Sequence, residues 1–355
     1  MALRPFAFAA IALLATVGCR SPEDAESRAR RIHDASIIIL AHDHQFARAD
    51  FEDMKIGGLT AKVLKLTTDS IDWDREKRVR VKIPELGSWR ERFLGYLNRV
   101  RALAQERDSG ILIVHSVEDI YRAKRQRKVG AILGSEGAWQ LEGRIEAVEE
   151  FYDLGWRETQ LRWAAPSQLF LDDHLSEFGK QVVGECNRLG ILIDVSHLSL
   201  EAMRDILATS KDPVVRSHDA PRSIGGESDD AMILAVTQSG GAHGVFAIHF
   251  YAGYIHPPTV DRVVDAIDYV VRLASIDHVA LGGDYFPEDG AEWAIPDVTH
   301  LYDLTLALVR RGYVDEEIRK ILGLNLIRLY ERVWKGDSEV VALDTEYEAH
   351  HDAIL

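Results

Sequence analysis

Five side chains of metal-ligand type follow directly on apolar, strand-like runs. They are His42 and His44 in SIIILAHDH, Glu136 in VGAILGSEG, His197 in GILIDVSH and His218 in PVVRSH. A sixth polar group, Asp284, closes HVALGGD in the same way. Imidazole nitrogens and carboxylate oxygens are ordinary donors to divalent ions, and a carboxylate bridging two ions holds them about 3.5–4 Å apart, as in two-metal hydrolytic sites. Residues two apart on a strand share a face, so His42 and His44 can reach one ion. Asp284 would face the metals as acid/base, and the glycines before it allow close backbone approach. Taken singly, Glu136 reads equally as a loop or helix-capping glutamate, His197 as a histidine at a helix N-terminus, and Asp284 as a helix-starting aspartate. Together they point to a hydrolase built around two metal ions.

Such a site needs strand ends that converge. Strand-like runs lie at 36–42, 59–67, 129–135, 156–163, 190–196, 213–217, 242–248 and 278–284. Helical patterns fill most of the gaps, at 89–106, 116–126, 143–153, 178–189, 199–208, 229–239 and 259–274. Strands alternating with helices indicate a parallel sheet covered on both faces, and eight such units indicate a (β/α)8 TIM barrel, which gathers its strand ends into one mouth. Lys and Arg residues break the pattern of 59–67 and 156–163, and 68–88 is a charged excursion near the mouth. Helices at 300–311 and 315–335 should pack on a barrel domain spanning 32–335, followed by an acidic tail at 336–355.

The chain has 355 residues, enough for a large core, and a net charge of −15 argues against a nucleic-acid partner, because phosphate binding needs a basic face. Residues 1–19 read as a targeting segment: Arg4, the apolar run from Phe6 to Val17, then Gly18-Cys19. The Gly-Cys ending resembles a bacterial lipobox, with Thr16 where Leu is usual, so Cys19 is an expected lipid anchor; a plain secretory signal is the alternative. Either way the mature protein is expected outside the cytoplasm, in the periplasm or anchored to a membrane. Residues 20–31 (RSPEDAESRARR) suit a tether or the start of a helix. Cys186 then has no disulfide partner and reads as a buried structural thiol.

The motifs GGLTAKVLKL, AILGSEG, FYDLGWRETQL, FGKQVVGECNRLGILIDVSHLS, PVVRSHDAPR, HVALGGD and RRGYVDEEIRKILGLNLIRL resemble, in this order, the membrane (renal-type) dipeptidase family, M19, of the amidohydrolase superfamily. The resemblance covers about residues 34–335. It implies a (β/α)8 barrel with two Zn2+ ions that cleaves dipeptides and related small amides. By position, His42 and His44 would bind one zinc, His197 and His218 the other, Glu136 would bridge them, and Asp284 would be the catalytic acid/base. Family members are often dimers, so a homodimer is an expected form, although no segment marks an interface.

Three positions depart from the family pattern. His44 stands where most members have Asp, and Trp163 where a histidine usually polarises the substrate carbonyl. The arginine that grips the substrate carboxylate has no counterpart in GGESDDAMI, although Arg222 is retained nearby; Arg162 and His249 could compensate. The expected function is therefore hydrolysis of a dipeptide or similar small amide by a metal-bridged hydroxide. Two readings remain beside it: an amidohydrolase for another amide, ester or lactone, and a catalytically silent surface protein. Zinc suits the nitrogen-rich donors, while other divalent ions can occupy such sites.

Overall fold

The computed structural model describes residues 23–67, 71–74, 79–82, 88–163, 167–286 and 290–335. The targeting segment with Cys19, the acidic tail 336–355 and much of 68–88 lie outside the described residues. Eight parallel strands close on themselves: β1 (Ile39–Asp43), β2 (Ala61–Thr67), β3 (Val129–Glu136), β4 (Trp156–Gln160), β5 (Leu192–Asp194), β6 (Val215–Asp219), β7 (Val245–His249) and β8 (Val279–Gly283). Each pairs with its successor, and β8 pairs with β1. These are the eight runs expected from the sequence, with their ends moved by a few residues.

Several elements escape the periodicity, among them a helix at Arg48–Ile56 and a short hairpin of Phe170–Leu171 with His174–Leu175. Ile111–Ile113 adds a short parallel strand beside the start of β3, too brief to alternate. Within the charged excursion, Ile71–Asp74 and Val79–Lys82 pair as an antiparallel hairpin.

Helices cover the outside of the barrel, and short polar side chains start most of them. Ser88, Ser116, Ser176, Ser199, Asp229 and Thr259 each accept a backbone N–H from the first turn. Residues 25–31 belong to a helix, Ala25–Ala35, which starts on Asp24 and buries Ala29 and Ile32. The segment 315–335 is divided into Asp315–Arg319, a π-type turn at Lys320–Leu324, and Asn325–Val333. At Gly323 a Cβ would lie 2.4 Å from the Ile37 carbonyl oxygen, so only glycine lets this turn press on the entry to β1.

The last helix closes one end of the barrel. Its Leu326, Leu329, Tyr330 and Val333 pack into the interior with Ile39, Val63, Leu192 and Val245. Asn325 Nδ2 pins it there, donating to the carbonyls of Ile276 and Val279 at 2.8 Å each. A second apolar layer lies between strands and helices, where Phe93, Phe151 and Trp156 meet edge to face. The buried, reduced Cys186 belongs to that layer.

Candidate metal centre

Regular alternation would not aim these side chains correctly. Ile39 and Ala41 face the barrel interior, so an unbroken β1 would turn Asp43 inward rather than His42. Between Leu40 and Asp43 the register against β2 slips by one residue. This bulge brings His42 and His44 to the mouth and sends Asp43 outward, onto the buried Lys62 at 2.6 Å. Strand β6 uses the same device. Its register against β7 slips between Arg216 and Asp219, so Ser217 and His218 both face inward while Asp219 turns out to Arg216 at 2.6 Å. His197 and Asp284 adopt the left-handed backbone region, at φ 61° and 56°. Non-glycine residues seldom do so, and strain of this kind clusters at functional sites.

The result is one convergent set of donors. His42 Nε2 and His44 Nε2 are 3.1 Å apart, and His197 Nε2 and His218 Nε2 are 2.9 Å apart. Glu136 lies between the two pairs: Oε2 is 3.4 Å from His44, and Oε1 is 3.5 Å from His197 and 3.9 Å from both His42 and His218. Asp284 Oδ1 sits 3.4 Å from His42 and 3.3 Å from His44. Three overlapping triads each bring their donor atoms within 4.8 Å: His42, His44 and Glu136; Glu136, His197 and His218; and His42, His218 and Asp284. All six residues named from the sequence thus meet at one mouth.

The outer nitrogens fix which ring nitrogen faces the centre. His44 Nδ1 is 3.2 Å from the Lys65 carbonyl oxygen, which can only accept, so Nδ1 carries a proton and Nε2 is the nitrogen that faces the centre. Nδ1 of His42 and of His218 both reach Ser217 Oγ, at 3.1 and 2.8 Å. Burial lowers His218 to about 3 and holds His42 well below its usual value, so both stay neutral. Burial works against ionisation of Glu136 and Asp284, but the surrounding imidazoles outweigh it and hold both carboxyls well below their usual range. His44 answers in kind: burial lowers it, yet Asp284 and Glu136 raise it to about 10. The two carboxylates that keep His44 protonated are negative charge that a divalent cation can engage instead, releasing that proton, and with the four imidazoles they make a donor set that fits divalent cations.

His249 is a support for Asp284. The Tyr251 N–H donates to its Nδ1 at 3.0 Å, so Nε2 carries the proton and donates to Asp284 Oδ2 at 3.1 Å. Arg162 and Arg222 lie instead in a cleft of about 550 Å3 beside His197, whose walls include Glu201, Glu227 and Asp229. Arg162 pairs with Asp173 at 2.9 Å and Arg222 with Asp229 at 3.5 Å. Trp163 is half-buried past β4, and among the described residues it is not part of that cleft wall.

The sequence reading missed a polar layer beneath the donors. Lys65 Nζ meets Glu158 Oε1 at 2.6 Å and Asp194 Oδ2 at 2.7 Å, all three groups being buried. Part of the signal was present, since Lys65 is one of the lysines that seemed to break β2.

The family model for membrane dipeptidases, peptidase family M19, matches residues 35–340. The chain belongs to the membrane dipeptidase family. As such it is a metal-dependent hydrolase of the peptidase type. Solved structures share the barrel. An amidohydrolase from Pseudomonas aeruginosa superposes with a TM-score of 0.73 at 24% identity, covering 86% of this chain and 99% of that one. An M19 metallopeptidase, dipeptidase AC, gives 0.70 at 20% identity over 84% and 99%. A metallopeptidase from Rhodobacter sphaeroides, solved with a phosphinate mimic of L-Ala-D-Ala, gives 0.69 at 20% over 84% and 100%.

Proposed function

We propose that this membrane-dipeptidase family member is a binuclear zinc hydrolase cleaving the amide bond of a dipeptide or similarly small amide. The observation that carries the reading is the overlap of the donor triads, which share Glu136 and two imidazoles. His42 and His44 would hold one ion, His197 and His218 the other, and Glu136 would offer one oxygen to each. When bound, two such cations supply Lewis acidity, acidifying water and polarising a carbonyl oxygen.

The chain's own part is orientation and proton transfer. Asp284 faces both His42 and His44 with Oδ1, while His249 fixes Oδ2 by donating to it. A carboxylate so held can take a proton from the attacking water and return it to the leaving nitrogen. The cleft beside His197 gives room for a dipeptide-sized molecule, the class mimicked in the Rhodobacter sphaeroides structure.

One observation favours a different amide, ester or lactone. Arg162 and Arg222, the candidates for gripping a substrate carboxylate, each already pair with an aspartate. Trp163 moreover stands in place of a polarising histidine, and an indole has no basic nitrogen or titratable charge with which to replace an imidazole. The N-terminal segment suggests that this chemistry takes place outside the cytoplasm. Among the described residues, no helix is long and apolar enough to cross a membrane.

Metal analysis of carefully prepared protein should find about two zinc ions per chain. A hydrolysis screen should use dipeptides and N-acyl amino acids of both hands. A protein containing no metal sinks the proposal, and turnover of N-acyl amino acids without any dipeptide cleavage moves it to the second reading. His218→Ala should keep about one ion per chain, because it removes a nitrogen from one half only. Two retained ions would displace His218 from its assigned role.

A further inference from the structure

We propose that Ser217 is a positioning residue shared by both halves of the centre, so that its single hydroxyl sets the metal affinity of the two sites together. This rests on the metal-centre reading above. Ser217 is fully buried on β6, and its Oγ meets four groups: Asp194 Oδ2 at 2.5 Å, His218 Nδ1 at 2.8 Å, His42 Nδ1 at 3.1 Å and Ser196 Oγ at 3.3 Å. A hydroxyl has one proton and two lone pairs, which decides how these contacts divide. Asp194 is an acceptor held in place by the Lys65 ammonium at 2.7 Å and by the Ser196 N–H and hydroxyl at 2.9 and 2.7 Å. The Ser217 proton therefore goes to Asp194, and its lone pairs remain for the two imidazoles. Both His42 and His218 must then carry hydrogen on Nδ1 and present Nε2 to the centre.

The two imidazoles belong to different halves. His42 Nε2 faces His44 across 3.1 Å, and His218 Nε2 faces His197 across 2.9 Å. A metal-ligating histidine ordinarily has its own outer acceptor, and losing that acceptor costs about 10–100-fold in metal affinity. Here one acceptor serves a ligand on each side. Removing it strands two buried N–H donors at once, and each imidazole becomes free to change tautomer or turn.

The test is calorimetric titration of chelator-stripped protein with Zn2+, for the wild type, Ser217→Ala and Ser36→Ala, with folding checked by thermal unfolding. Ser36 is also buried, and its hydroxyl donates to the Ile32 carbonyl oxygen ahead of β1, outside this network, so it controls for loss of a buried hydroxyl. Ser217→Ala should weaken both binding steps about 10–100-fold, while Ser36→Ala leaves both steps near wild type. A variant in which only one step weakens, or neither, overturns the proposal. A second measurement needs no variant. In wild-type protein labelled with 15N-histidine, His42 and His218 should both appear as Nδ1–H tautomers, with slowly exchanging downfield protons. An Nε2–H tautomer at either residue overturns the proposal even if Ser217→Ala does not fold. Wild-type protein that takes up no ion would instead defeat the metal-centre reading, and the tautomer measurement would still decide the role of Ser217.

Discussion

Asp284→Asn should lower kcat by about 10²–10⁴-fold, the usual worth of a positioned general acid/base, while metal content stays at the wild-type level. The substitution is gentle in every other respect. Asn has the same shape, and it tolerates the left-handed backbone that Asp284 adopts at φ 56° better than almost any other residue. The Asn side-chain oxygen can still accept the proton that His249 Nε2 donates at 3.1 Å to the wild-type carboxylate. What disappears is the negative charge and the capacity to take a proton. Burial works to protonate Asp284, yet His42, His249 and His44 keep it ionised, which is the state a base requires. The measurements are steady-state kinetics and metal analysis on the same preparation. Activity retained in Asp284→Asn removes the acid/base role. Loss of an ion along with activity would instead recast Asp284 as a ligand, a role open to it in the triad with His42 and His218.

Lys65→Met should cost about 3–5 kcal/mol of stability, because it leaves buried carboxylates without their cation. Lys65, Glu158 and Asp194 are each within 1% of complete side-chain burial, and the two Lys65 contacts are 2.6 and 2.7 Å. Met fills most of the volume, so the loss is electrostatic rather than a cavity. The loss should also depend on pH. Burial first, and the nearby Asp194 as well, raise Glu158 to about 7 from 4.5, with Lys65 opposing them. A carboxyl raised on folding binds its proton more tightly in the native state, so stability falls as pH rises from 4.5 through about 7. Removing Lys65 raises Glu158 further and extends that fall to higher pH. Denaturant midpoints should therefore show a larger deficit at about pH 8 than at about pH 6. A variant as stable as wild type at about pH 8 would mean that the trio contributes no net stabilisation.

Much of the architecture was legible because the barrel's physics repeats itself. A strand buried on both faces must be apolar throughout, so IIIL, AILG, ILID and VALGG announce themselves, and the polar residue that ends each run marks the mouth. Helix starts obey a similarly local rule, since Ser88, Ser116 and Thr259 satisfy orphan N–H groups that any helix leaves. Lys65 looked like an interruption because a local pattern cannot distinguish a lysine facing solvent from one paired inside a barrel. Residues 25–31 suited a tether or a helix equally, since the choice depends on Ala29 and Ile32 finding apolar neighbours.

By itself, the sequence determined the order of strands and helices, and it singled out the six candidate donor and acid/base residues at strand ends. Both follow from local rules, namely apolar periodicity and the chemistry of a side chain. Only the tertiary structure decided which way those residues point and what stands behind them. The bulges in β1 and β6 turn His42 and His218 inward against simple alternation, and a bulge arises from pairing with a neighbouring strand. The shared contact of Ser217 with His42 joins residues 175 apart, and that of Lys65 with Asp194 joins residues 129 apart. Hydrogen bonds across such spans exist only once the barrel has closed.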